Sequence, residues 1–135
     1  MKIEPVESYN KDRITSTLLS NEFVPPPEFE RLLEWVGLGA SNVRKSLACI
    51  EEYQQSLRAL GETEQRLSEL DQWRESPAFN KREKSALSLS ETISLHDAEE
   101  VSILILKEAR CHFSTHQIVR LVLAVIAVND WIDLH

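Results

Sequence analysis

At 135 residues, with 42 % hydrophobic and 27 % charged side chains, the chain is long enough for one globular domain and too apolar for a disordered one. Its 15 Lys+Arg against 22 Asp+Glu leave a formal charge of −7, which argues against a generally basic nucleic-acid binder. Three Gly and five Pro are too few for a hairpin-rich β protein, and the longest apolar run, Leu121 to Val128, falls short of the roughly 20 residues of a membrane span.

In chain order the punctuation predicts helices near 7–20, 27–37, 40–60, 63–75, 80–95, 97–112 and 115–133. The first 25 residues carry the least regular pattern and no signal-peptide layout. Pro25-Pro26-Pro27 breaks the chain and sets Pro27 in the first turn of a helix. A break near 38–39 separates that helix from the next, along which Val43, Leu47, Ile50 and Leu57 recur at helical spacing. Gly61 fits a C-terminal stop and Thr63 the following N-cap. Asn80 with Glu83, Asp97 with Glu100, and Ser114 with Gln117 each have the spacing of a capping box before a periodic apolar segment. The last segment, from Ile118 to Val128, is apolar nearly all round, which suits a central helix. The whole reads as a single all-α domain over 1–135, a bundle of about six or seven helices with short antiparallel connections. An apolar helix of this kind needs cover on every side, so a homo-oligomer is expected, with interface positions on the helices at 40–60 and 80–133.

Trp73-Arg74-Glu75-Ser76-Pro77-Ala78-Phe79, followed by Lys81-Arg82-Glu83 and Ala86-Leu87, resembles a segment of the carboxymuconolactone decarboxylase superfamily, in its alkylhydroperoxidase D-like (AhpD-like) branch. Leu33-Glu34-Trp35-Val36, Gly61-Glu62-Thr63-Glu64, His112-Phe113-Ser114 and Ala127-Val128-Asn129-Asp130-Trp131 are similar to that branch in the same order, so the likeness spans roughly residues 30–134. It implies an all-helical AhpD-like fold, assembly into trimers or hexamers, and kinship with antioxidant thiol peroxidases. The active branch carries Glu, eleven residues, Cys, two residues, Cys, three residues, His. Its second Cys attacks a hydroperoxide, its first resolves the product as a disulfide, and Glu and His relay protons. On this chain the Glu falls on Glu34, the first Cys on Ser46, the second on Cys49 and the His on Tyr53. The pair before the first Cys, commonly Asn-Gly in that branch, is Arg44-Lys45.

Ser46 has no sulfur, so a Ser46–Cys49 disulfide is impossible and the dithiol cycle cannot run by its usual route. One-cysteine chemistry, a thiolate oxidised to sulfenic acid and reduced by an outside thiol, would need a lowered thiol pKa. In a helix beginning near Ala40, Cys49 lies more than two turns from the positive end, Arg44 and Lys45 point away from it, and a tyrosine titrating near 10 is a poor proton shuttle. Ser46, Cys49 and Tyr53 also share one helix face with Leu57 and Leu60, as ordinary core would. Glu34 reads equally as a solvent-facing helix residue or a buried carboxylate. Cys111 reads as a structural thiol, and no disulfide with Cys49 is expected. His112 and His116 are four apart but straddle a helix boundary, so no metal is expected, and His96 and His135 read as solvated. No phosphate-binding glycine loop calls for a nucleotide cofactor.

Two functions from different classes follow. One is a cytoplasmic AhpD-like protein with at most weak one-cysteine peroxidase chemistry at Cys49, acting on a small hydroperoxide. The other is a non-catalytic oligomeric protein that binds a small apolar ligand or a protein partner. Decarboxylase chemistry from the superfamily's other branch ranks third, because that branch's motif is missing.

Overall fold

The computed structural model describes residues 26–95 and 101–135. The helix expected at 7–20, the Asp97–Glu100 capping box and His96 therefore lie outside the described residues. What is described is all-helical: α1 (Pro27–Arg44), α2 (Leu47–Ala59), α3 (Glu64–Glu69) with a 3₁₀ turn over Leu70–Gln72, α4 (Lys81–Leu95), α5 (Ile103–His112) and α6 (Thr115–Leu134). Among these residues no single helix is long and apolar enough to cross a membrane.

The largest departure from the sequence reading concerns the first two helices. No break occurs at Gly37–Gly39; α1 runs through both glycines to Arg44. The glycines meet a packing demand instead. A Cβ at Gly37 would lie 2.3 Å from Cε1 of Tyr53, and one at Gly39 would lie 3.2 Å from Oγ of Ser90. The break falls at Lys45, which adopts a left-handed conformation (φ 58°, ψ 38°). There Ser46 N–H donates to Ser41 C=O at 3.1 Å, the six-to-one bond of a Schellman closure. Gly61 ends α2 in the same manner, at φ 95°, with Glu62 N–H donating to Leu57 C=O at 2.9 Å.

The caps at Asn80 and Ser114 form as reciprocal boxes. Asn80 N–H donates to Glu83 Oε1 at 2.9 Å and Glu83 N–H to Asn80 Oδ1 at 2.8 Å, and Ser114 and Gln117 repeat the exchange. The fifth helix begins later than the expected residue 97, because Ser102 caps it by accepting from Ile105 N–H at 3.2 Å.

The central element is α1 rather than α6. It packs against α2, α4 and α6, and α4 in turn packs on α5 and α6. Phe29, Trp35, Val36 and Leu38 of α1 join Leu57, Leu87, Leu89, Leu121 and Val125 in the core. Trp35 meets Phe79 edge-on at 5.0 Å, a favoured aromatic geometry. The C-terminal helix is one-sided in burial: Ile118, Leu121, Val125 and Val128 are covered, whereas Val119 and Leu123 are exposed.

Candidate functional site

The break at Lys45 decides where the thiol sits. Ser46 is the N-cap residue of α2 and Cys49 its third residue, so the thiol lies in the first helical turn rather than two turns in. The positive end of the α2 dipole is therefore close to it, which favours a thiolate. Burial acts the other way: Cys49 is fully excluded from solvent. Loss of solvation is the largest influence on the thiol. The side chains of Ser46 and, less strongly, Ser41 favour ionisation, and the charge of Glu52 opposes it; the net effect raises the Cys49 pKa above its ordinary value. Ser46 makes no hydrogen bond from its side chain to the helix N–H groups, while Ser41 Oγ donates to Gly37 C=O at 2.7 Å.

Tyr53, one turn beyond Cys49, is 95 % buried, and its ring fills the space beside Gly37 that a Cβ would need. Glu34 precedes Gly37 by one turn on the same face of α1. It is half-exposed as a residue, yet its Oε2 is buried, so its carboxylate is not simply solvent-facing. The α1–α2 contact thus gathers the signature positions: Ser46 and Cys49 at the start of α2, Tyr53 one turn on, and Glu34 on the same stripe of α1 as Gly37 and Ser41. Arg44 is turned away, as the sequence suggested. It donates to Asn129 Oδ1 at 2.8 Å and pairs with Asp133, pinning the end of α1 to α6, while Lys45 is exposed.

The remaining singled-out residues do not join this site. Cys111 is exposed on α5, and both cysteines are free. His112 ends α5 and meets Glu108 Oε1 at 3.1 Å, whereas His116 is exposed in the first turn of α6. Among the described residues no group of three potential metal ligands assembles. His135 is exposed and stacks on Trp131 at 4.2 Å. The Trp73–Pro77 string is architectural. Arg74 lies over the Trp73 ring at 4.3 Å and pairs with Glu91, its carbonyl accepts from Lys84 Nζ at 2.9 Å, and Ser76 Oγ accepts from Ala78 N–H at 3.1 Å.

A charged network escaped the sequence reading. The Glu62 carboxylate, 4 % exposed, faces Arg31 at 3.4 Å, Trp35 Nε1 at 3.4 Å and Arg66 Nε at 3.3 Å. Arg66 bridges on to Glu83 at 2.6 Å and lies within 5.1 Å of the Trp35 ring centre and 4.9 Å of the Phe79 ring centre. The four-residue spacing of Glu62 and Arg66 was the only local signal for it. A cleft of about 400 Å³ opens beside this network, with Pro27, Arg31, Leu32 and Arg82 among its walls.

No family model matches the sequence. The chain is 34 % identical over 98 residues to the uncharacterized protein YdfG of Bacillus subtilis, a match that covers 73 % of this chain and 67 % of that one. In three dimensions it is similar to the crystal structure of a protein of unknown function from Agrobacterium tumefaciens, described as a candidate antioxidant defence protein AhpD. That likeness has a TM-score of 0.75 at 21 % identity and covers 92 % of this chain and 80 % of that one. At this identity it establishes the fold, which is all-α and AhpD-like.

Proposed function

Since the chain belongs to the family of Bacillus subtilis YdfG and has the AhpD-like fold, we propose that it is an AhpD-like protein that has left dithiol peroxide reduction and acts by binding. The observation that carries this reading is the state of Cys49. It is fully buried, its pKa is raised, and the hydroxyl of Ser46 occupies the place of a resolving sulfur. A protonated thiol is a poor nucleophile toward a peroxide, and a serine cannot close a disulfide. Tyr53 fills the space on the other side, against Gly37. The test is consumption of an alkyl hydroperoxide with a lipoyl dithiol as reductant. The protein and its Cys49→Ser variant should match, both at the background rate; turnover abolished by Cys49→Ser overturns the proposal.

One-cysteine chemistry is the second reading, favoured by one observation: Cys49 lies in the first turn of α2, at the positive end of the helix. In that reaction the thiolate attacks one peroxide oxygen, the O–O bond breaks, and the alkoxide leaves and takes a proton from water. The sulfenic acid is then reduced by two equivalents of an outside thiol, which pair as a disulfide.

The binding reading includes self-assembly as a trimer or hexamer. Ile103 and Leu104 of α5 and Val119 and Leu123 of α6 are exposed apolar side chains of the kind an obligate interface covers. Light scattering at micromolar concentration should give three or six times 15.5 kDa. A folded 15.5 kDa monomer contradicts assembly.

A further inference from the structure

Among the described residues, α2 is held along one stripe and at its two ends. It packs chiefly on α1, and its buried residues, Cys49, Tyr53 and Leu57, recur every fourth position on a single face. Glu51, Gln55 and Arg58 leave its outer side in water. The first end is the one-residue joint at Lys45, where φ is 58°. A side chain in that region carries a steric cost that glycine escapes. Ser46 adds no side-chain cap bond to the joint. The second end is fastened by charge. Arg31 donates to Leu60 C=O, and the Glu62 carboxylate, buried two residues on, faces Arg31, Trp35 Nε1 and Arg66.

We propose that α2 is a flap over the Cys49–Tyr53 face, hinged at Lys45 and latched at Glu62. Parting of the latch frees the far end of the helix. Rotation at Lys45 then lets its φ leave the left-handed region, which offsets part of the cost of opening. Only the Cys49–Tyr53–Leu57 stripe has to leave α1, while the packing of α1 with α4 and α6 stays intact. Opening of this kind is sub-global and costs less than unfolding. The open form presents Cys49, Tyr53 and the bare backbone at Gly37 together, so the flap sets how fast any molecule reaches the thiol. The inference rests on packing and burial, and it holds whether that face binds or reacts.

The test is slow alkylation of Cys49 by iodoacetamide, followed by peptide mass spectrometry at urea concentrations below the unfolding transition. Reagent is kept where the rate is proportional to its concentration, so that the rate reads the open population, and the exposed Cys111 is the internal standard. A flap exposes less surface than unfolding does. The Cys49 rate should therefore rise with urea less than about half as steeply as the unfolding constant from circular dichroism. Glu62→Gln should speed Cys49 roughly tenfold, the scale of a hydrogen bond to a charged group. Lys45→Gly should slow it about threefold, by removing the left-handed cost from the closed form. Ser114→Ala, which removes the capping box of α6, should raise the unfolding constant about fivefold and leave the Cys49 rate unchanged. The flap is overturned if Cys49 alkylation follows the unfolding constant in urea, or if Ser114→Ala speeds it in step with unfolding. It is equally overturned if a folded Glu62→Gln or Lys45→Gly protein keeps the parent rate. Should either variant fail to fold, the urea dependence of the parent protein decides.

Discussion

Ser46→Cys is expected to convert a chain with two free thiols into one that closes a disulfide across the first turn of α2. Ser46 is the N-cap residue and Cys49 follows three positions later, a spacing that on helical geometry places the two Cα atoms about 5 Å apart. This is within the Cα range of about 4.4–6.8 Å that a disulfide spans. After mild oxidation, mass spectrometry should show a two-hydrogen loss in the peptide containing positions 46 and 49, with Cys111 still free. The parent protein treated alike should show no intramolecular disulfide, because Cys49 is buried in α2 and Cys111 is exposed on α5. Two free thiols at those positions in the oxidised variant would mean that the α2 start is not built as described.

Gly37→Ala is expected to have the largest effect on stability. In an ordinary helix interior this exchange gains up to about 1 kcal/mol of helix propensity. Here the new methyl would lie 2.3 Å from Cε1 and 2.4 Å from Cζ of Tyr53, whose ring is buried and cannot swing into water. Overpacking of this kind costs about 1–3 kcal/mol and reverses the sign. Gly39→Ala should be milder, since its methyl would sit 3.2 Å from Ser90 Oγ and 3.3 Å from Leu87 Cδ2. Urea unfolding of both variants, together with Gly37→Ala combined with Tyr53→Leu, separates the causes. The double variant should recover part of the loss, as contacting residues couple. A Gly37→Ala protein as stable as the parent would contradict the packing of Tyr53 on α1.

These two expectations also mark where the sequence was legible. Caps with local chemistry could be read directly: Thr63, Asn80 with Glu83, Ser114 with Gln117, and Gly61 as a stop all have the bonds their spacing implies. The break expected near 38–39 does not form, and the small residues there, Gly37 and Gly39, answer a non-local demand set by Tyr53 on α2 and Ser90 on α4. The true boundary hid behind Lys45, a residue type with no preference for a left-handed conformation. Its place in a pair that is commonly Asn-Gly in the resembling branch was the available clue. The site depends on this boundary, since a break at Lys45 sets Cys49 in the first turn of α2, whereas a helix beginning near Ala40 would hold it mid-helix. The order of Glu34, Ser46, Cys49 and Tyr53 could be read from the chain. The burial of Cys49 and the close approach of Tyr53 to Gly37 could not, because both depend on how α1 and α2 cross. The Glu62–Arg66–Glu83 network joins residues from three parts of the chain, and only its Glu62–Arg66 spacing is local.

Cys49 is a buried thiol whose pKa is raised, and the rate at which a thiol-specific reagent reaches it reads that state in solution. Cys111 is exposed and should react at once in native buffer at neutral pH. Cys49 should react only through opening of the α1–α2 contact. If that opening costs about 5 kcal/mol, labelling is slowed by roughly three to four powers of ten. One thiol labelled promptly, and the second only with denaturant, is the predicted result. Two thiols labelled at comparable rates in the folded protein would contradict the account.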